Sequence, residues 1–148
     1  MLYMRSIFLV TVILLCSFSS IEAKSNDSAL AAFNRLDWGM GLSKAFERAN
    51  LEDKNVIVLV EDIKCKWCIK MKKGALSDRR VQEILKEYIL VKVLRANKVE
   101  SNQLKGFDGT IPNLYFMTKE KEIVDTIVGY FTADDFLGYL KEIQADGF

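Results

Sequence analysis

Apolar and polar positions along this 148-residue chain fall into blocks of two periodicities. Val56-Ile57-Val58-Leu59-Val60 is a continuous aliphatic run, the pattern of a central strand covered on both faces, and Ile89 to Leu94 reads as a second buried strand. Asn113 to Met117 is a third, and Glu122 to Val128 a fourth that pairs with it through a hairpin at Lys119-Glu120-Lys121. Helical spacing occupies the intervals. Leu42 to Asn50 precedes the first strand, and a segment from Cys65 to about Lys73 follows it, with Gly74 as its stop. Ser77 can cap a further helix reaching about Tyr88, whose stripe of Val81, Ile84 and Leu85 belongs to the core. Arg95 to Asp108 is a polar connection with one helical turn around Gln103 and Leu104, and Thr132 caps a last helix from about Ala133 to Gln144. Strands alternating with helices predict an α/β domain, a mixed central sheet with helices on both faces.

The first 23 residues stand apart from this pattern. Arg5, the apolar stretch from Ile7 to Leu15 extended to Phe18, and Ile21-Glu22-Ala23 form the three zones of a secretory signal, so cleavage is expected after Ala23. The alternative is an uncleaved membrane anchor, but about 12 apolar residues fall short of the roughly 20 a spanning helix needs. Leu15 before Cys16 is too large for a lipoprotein cleavage site. Export to the periplasm is the expected localisation. Residues 24–37 then form an N-terminal leader, polar and mobile from Lys24 to Ser28, and 38–148 the domain, a length that suits one core. The net charge of +1 is unchanged by loss of Arg5 and Glu22, and points away from nucleic acid as a partner.

Cysteine usage carries the chemistry. With Cys16 removed, only Cys65 and Cys68 remain, two residues apart in Cys65-Lys66-Trp67-Cys68. A loop that short restricts the unfolded chain little, so a purely structural disulfide is a weak explanation. Structural zinc wants four Cys or His ligands and the chain has no histidine; haem attachment would need His at position 69, where Ile69 stands. A copper(I) site on the two thiolates stays open. At the start of a helix, Cys65 meets unpaired backbone N–H groups and the positive end of the helix dipole, which favour a thiolate; it is the candidate nucleophile. Cys68, one turn deeper on the same face, is the candidate resolving thiol. Between Lys64 and Arg80 seven basic residues face one acid, Asp78. Lys66 is near enough to support the nucleophile, whereas Lys70, Lys72 and Lys73 read as a solvated helix face.

The motif Cys65-Lys66-Trp67-Cys68 after a central strand, followed by Ile111-Pro112 at the start of the next, resembles the thioredoxin superfamily over about Trp38 to Ile143. Trp38, the helix Leu42 to Asn50 and Leu76-Ser77-Asp78 make it similar to exported bacterial members. The resemblance implies a thioredoxin fold, a cis Pro112 beside the cysteines, and an Ile111 backbone free to pair with an extended substrate segment, with Trp67, Thr110, Ile111 and Pro112 forming the contact surface. It also implies a protein disulfide oxidoreductase with no cofactor beyond the redox-active Cys65–Cys68 pair. Its partners are protein substrates with thiols or disulfides and a membrane thiol–disulfide electron donor. Two departures stand out. Lys66-Trp67 replaces Gly-Pro between the cysteines, and Leu59 occupies the place of the buried acid that accepts a proton from the resolving cysteine. Glu61 or Asp62 could substitute only by pointing inward, where residues at a strand end are ordinarily exposed. Ile111 before Pro112 and the lack of histidine lean toward a reductase. The competing readings are a non-catalytic binding module with a closed disulfide and a copper(I) chaperone.

Overall fold

A computed structural model describes residues 28–148. The expected signal peptide, its cleavage at Ala23, Cys16 and the leader up to Asp27 lie outside the described residues. The elements in chain order are α1 (described over residues 28–33), β1 (Trp38–Met40), α2 (Leu42–Glu52), β2 (Val56–Glu61), α3 (Lys66–Lys73), a 3₁₀ turn (Ala75–Ser77), α4 (Arg79–Leu85), β3 (Ile89–Leu94), α5 (Lys98–Ser101), β4 (Asn113–Met117), β5 (Ile123–Val128) and α6 (Ala133–Ala145).

The strands form one sheet in the order β1-β3-β2-β4-β5. β2 sits at its centre, parallel to β3 and antiparallel to β4, with Leu59 opposite Lys92 on one side and Leu114 on the other. Because side chains alternate along a strand, β2 feeds two cores. Val56, Val58 and Val60 pack with Leu42, Phe46 and Ala49 of α2, whereas Ile57 and Leu59 pack with Met71 of α3, Val81 and Leu85 of α4 and Phe136 and Leu140 of α6. The continuous apolar run is thus required by burial on both faces.

The fold starts earlier than the composition indicates. Residues 24–37 read as a leader, yet Ala32, Phe33 and Leu36 are buried, Phe33 stacks on Trp38 with ring centroids 5.3 Å apart, and Gln82 Nε2 donates to Ala32 O at 2.7 Å. The polar letters around these three side chains concealed a short amphipathic segment. Trp38 itself lies in β1, an edge strand too short to have a period of its own.

Two helix details also differ from expectation. The helical turn of the β3–β4 connection is Lys98–Ser101, and Leu104 beyond it is a buried side chain rather than part of the turn. The cap of α4 is Asp78, whose side chain accepts from Arg80 N at 2.8 Å, while Ser77 Oγ stands between Lys72 O and Ala29 O, with its one O–H within reach of either, and so ties α1 to the end of α3. Both residues can cap, but a 3₁₀ turn takes up Ser77 and moves the helix start by one position.

Arg80 holds the Asp78 carboxyl below its ordinary range, against the desolvation that opposes it. A carboxyl with a folded pKa below its unfolded value of about 4 contributes stability that is complete above that value and is lost as pH falls through the folded pKa. Asp78→Ala is expected to cost about 1 kcal/mol at pH 7 and less at pH 2. Urea midpoints at the two pH values check this, and an equal loss at both would contradict a charged cap.

Candidate active site

β2 delivers the chain to the edge of the sheet, and Asp62-Ile63-Lys64 turns it into α3. Cys65 N donates to Asp62 O at 3.1 Å and Lys64 N to Asp62 Oδ1 at 3.2 Å, so the turn is closed by its own acid. The Lys64 N–H, with Arg95 at 3.2 Å, keeps the Asp62 carboxyl below the ordinary carboxylate range. Asp62 is therefore a surface residue that shapes the turn, one of its two expected alternatives.

Cys65 is the N-cap of α3, with extended backbone angles, and its Sγ accepts from Cys68 N at 3.1 Å. The first-turn N–H that has no helical partner is thus aimed at the outer sulfur. Cys65 and Cys68 are joined in a disulfide, their Cα atoms 5.2 Å apart. The two are unequal in access: Cys65 is half-buried, and Cys68 is 1% exposed. An incoming sulfur can reach the first and not the second. α3 ends at Gly74, where an added Cβ would stand 3.1 Å from Lys70 O.

Glu61 does point inward. By the alternation of β2 it shares the face of Ile57 and Leu59, beneath α3, and its carboxylate pairs with the Lys72 ammonium; the two side chains are 8% and 15% exposed. Leu59, in the place of the usual acid, is packed in the core. Lys72 comes one turn after Cys68 on the same helix face, so the face of α3 that buries Cys68 also carries the cation of this pair. The reading of Lys72 as part of a solvated face is corrected by this pairing. Lys66 is exposed, as are Trp67 and Ile63 at 56% and 75%.

The peptide bond between Ile111 and Pro112 is cis. Ile111 and Pro112 line an open depression of about 310 Å³ with Trp67, Gly129 and Tyr130, beside the cysteine turn. Gly129 N donates to Pro112 O at 2.8 Å and closes its floor. Thr110 is exposed at the rim, its N–H donating to Asp108 Oδ1 at 2.8 Å, and does not line the depression. Among the described residues no hydrogen bond occupies the backbone N–H or C=O of Ile111.

Tyr130 completes the wall of the depression. Its ring lies 5.7 Å from that of Trp67, and the Lys70 Nζ sits over both, 4.2 Å from the tyrosine and 5.0 Å from the indole centroid. The only signal in the sequence is an aromatic next to Gly129 after a strand, which is too common to be read. Among the described residues no group of three or more His, Cys, Asp or Glu side chains is placed to hold a metal ion.

The model of the family Thioredox_DsbH, described as a protein of unknown function, DUF255, matches residues 20–139, a span that holds the cysteine pair, Glu61, Lys72 and Ile111-Pro112. The chain belongs to this family. Solved structures with the same fold include a thioredoxin from Thermus thermophilus, 20% identical over 76% of this chain and 91% of that one, with a TM-score of 0.61. They also include the oxidised DsbD C-terminal domain of Neisseria meningitidis, 19% identical over 71% and 97% with a TM-score of 0.58. A disulphide isomerase from Xylella fastidiosa Temecula1 is 16% identical over 70% and 88%, with a TM-score of 0.59. Likeness at these identities is likeness of fold alone, the thioredoxin fold; the place of this chain in the thioredoxin superfamily rests on the Thioredox_DsbH family model. No curated protein matches its sequence.

Proposed function

We propose that this protein is an exported thiol–disulfide oxidoreductase that reduces disulfides in other proteins. The observation that carries the reading is the inequality of the two sulfurs: Cys65 is accessible at a helix N-terminus with a backbone N–H on its Sγ, and Cys68 is sealed beneath it. In the reduced protein the same N–H and the helix dipole stabilise a Cys65 thiolate. That thiolate attacks one sulfur of the client disulfide; a Cys65–client S–S bond forms, the client's own S–S bond breaks, and its second sulfur leaves as a thiolate. Cys68 then loses its proton and attacks Cys65 Sγ, which releases the first client sulfur and closes Cys65–Cys68. The client has gained two electrons and two protons, and the protein has lost them. A dithiol electron donor at the membrane must reopen the pair before the next cycle.

The client segment lies along Ile111, whose backbone groups are unoccupied, in the manner of an added strand. Trp67 and Pro112 supply apolar contact on either side. Glu61 replaces the acid absent at Leu59 as the group that receives the Cys68 proton, with Lys72 balancing its charge.

The test is the reduction potential of Cys65–Cys68, measured by equilibrating the protein in glutathione or dithiothreitol buffers and counting free thiols. A value near about −250 mV or lower is expected; one near about −120 mV would make the protein a disulfide donor and reverse the direction. The Cys65 thiol is also expected to alkylate with an apparent pKa clearly below the ~8.5 of a free cysteine.

A further inference from the structure

Charge on this molecule is segregated. The whole chain is nearly neutral at +1, yet residues 64–80 hold seven cations and one acid, so the remainder is net acidic. Elsewhere exposed cations matched by carboxylates (Arg48 by Asp37 and Glu52, Lys86 by Glu83, Lys119 by Asp53, Arg95 by Asp62) alternate with scattered ones that form no ion pair among the described residues, Arg35, Lys44, Lys98, Lys105, Lys121 and Lys141. At α3 the unmatched cations are clustered. Lys66, Lys70 and Lys73 stand at i, i+4 and i+7 on the outward stripe, Lys64 precedes them, and none of the four forms an ion pair among the described residues. Helical positions of this kind are where a (i, i+4) acid would ordinarily be found.

One of these cations is also held in place. Lys70 lies against the faces of Trp67 and Tyr130, which are walls of the depression beside the cysteine turn. An ammonium confined by two ring faces has less side-chain entropy to lose when it meets an anion. Asp108, the acid on the neighbouring loop, is engaged by Thr110 N, and its charge acts on Tyr115 in the opposite core.

We propose that the client of this site is an acidic, extended segment, with Asp or Glu within a few residues of its cysteine. Its backbone lies along Ile111, and its carboxylates meet Lys70 at the groove wall and Lys64 and Lys66 around Cys65. The inference rests on the exchange activity proposed above and adds its selectivity. A second copy of this chain does not fit, because two such faces would bring their unmatched lysines together.

Reduced protein, freed of dithiothreitol, is mixed with three peptides of equal length, each carrying a cysteine as a mixed disulfide with thionitrobenzoate and flanked by four Asp/Glu, four Ser or four Lys. Attack by Cys65 releases the coloured thiolate. At low salt the acidic peptide should react at least about tenfold faster than the basic one, as steering by opposite charge allows, and the ratio should approach one in 0.5 M salt. K66E/K70E should abolish or invert the ratio, and Lys44→Glu, on exposed α2, should leave it unchanged. The ratio is the readout because a change in Cys65 reactivity affects all three peptides and cancels. Equal rates at low salt, a faster basic peptide, or a ratio indifferent to K66E/K70E would overturn the selectivity. Colour from none of the three would overturn the exchange activity itself, a separate failure.

Discussion

Cys65→Ser is expected to lower the proposed disulfide exchange by roughly a thousandfold or more, the scale on which loss of an attacking nucleophile acts. Cys68→Ser behaves differently: the first attack survives, the second cannot follow, and the protein accumulates covalently on its client. The prediction comes from access. Cys65 Sγ is reachable and carries a hydrogen bond from Cys68 N; Cys68 lies under the helix with Met71. Mass spectrometry of each variant after mixing with a disulfide-containing protein separates the two cases. Accumulation of the mixed species by Cys65→Ser, and none by Cys68→Ser, would exchange the roles of the cysteines.

The second large effect belongs to Lys72. Replacing it by methionine keeps the aliphatic length and leaves the buried Glu61 carboxyl with no counter-charge. Breaking one side of a buried pair costs about 3–5 kcal/mol, far more than an exposed ion pair is worth. Urea unfolding at neutral pH with Cys65–Cys68 closed should report that loss, and E61L/K72M should recover most of it, since an apolar pair of similar size fits the same space. A loss under about 1 kcal/mol in Lys72→Met would mean that water reaches the carboxylate. The stable double variant then isolates the chemistry: without Glu61, the step in which Cys68 resolves the mixed disulfide should slow, while the first attack by Cys65 should not.

The three inner strands of the sheet were legible because β2, β3 and β4 are buried on both sides and announce themselves as mostly apolar runs, whereas β1 is too short to have a period and β5 is largely exposed. β3 and β4 have the predicted ends, and β2 adds only Glu61. The cysteine pair was legible because spacing and position carry its chemistry. What escaped detection depends on contacts between distant segments. Glu61 ends a strand, where residues are usually solvated, and only the arrival of Lys72 from α3 lets it be buried. Lys70 looks like any surface lysine until Tyr130, sixty residues further, supplies its second aromatic face. Phe33 sits in a stretch with no period long enough to read, yet it is in the core. Local pattern reveals which side chains want burial and says little about who meets them.

The two tryptophans occupy opposite circumstances. Trp38 is stacked on Phe33 at 9% exposure with its indole N–H buried and unbonded, and Trp67 stands at the groove, 56% exposed, under the Lys70 ammonium. Their emission should therefore separate by wavelength, the core indole at the blue edge and the rim indole at the red, with the charge above Trp67 tuning its colour. Unfolding is expected to move chiefly the blue component, and a client arriving at the groove the red one alone. The protein thus carries an intrinsic optical readout that tells docking from denaturation without any added label.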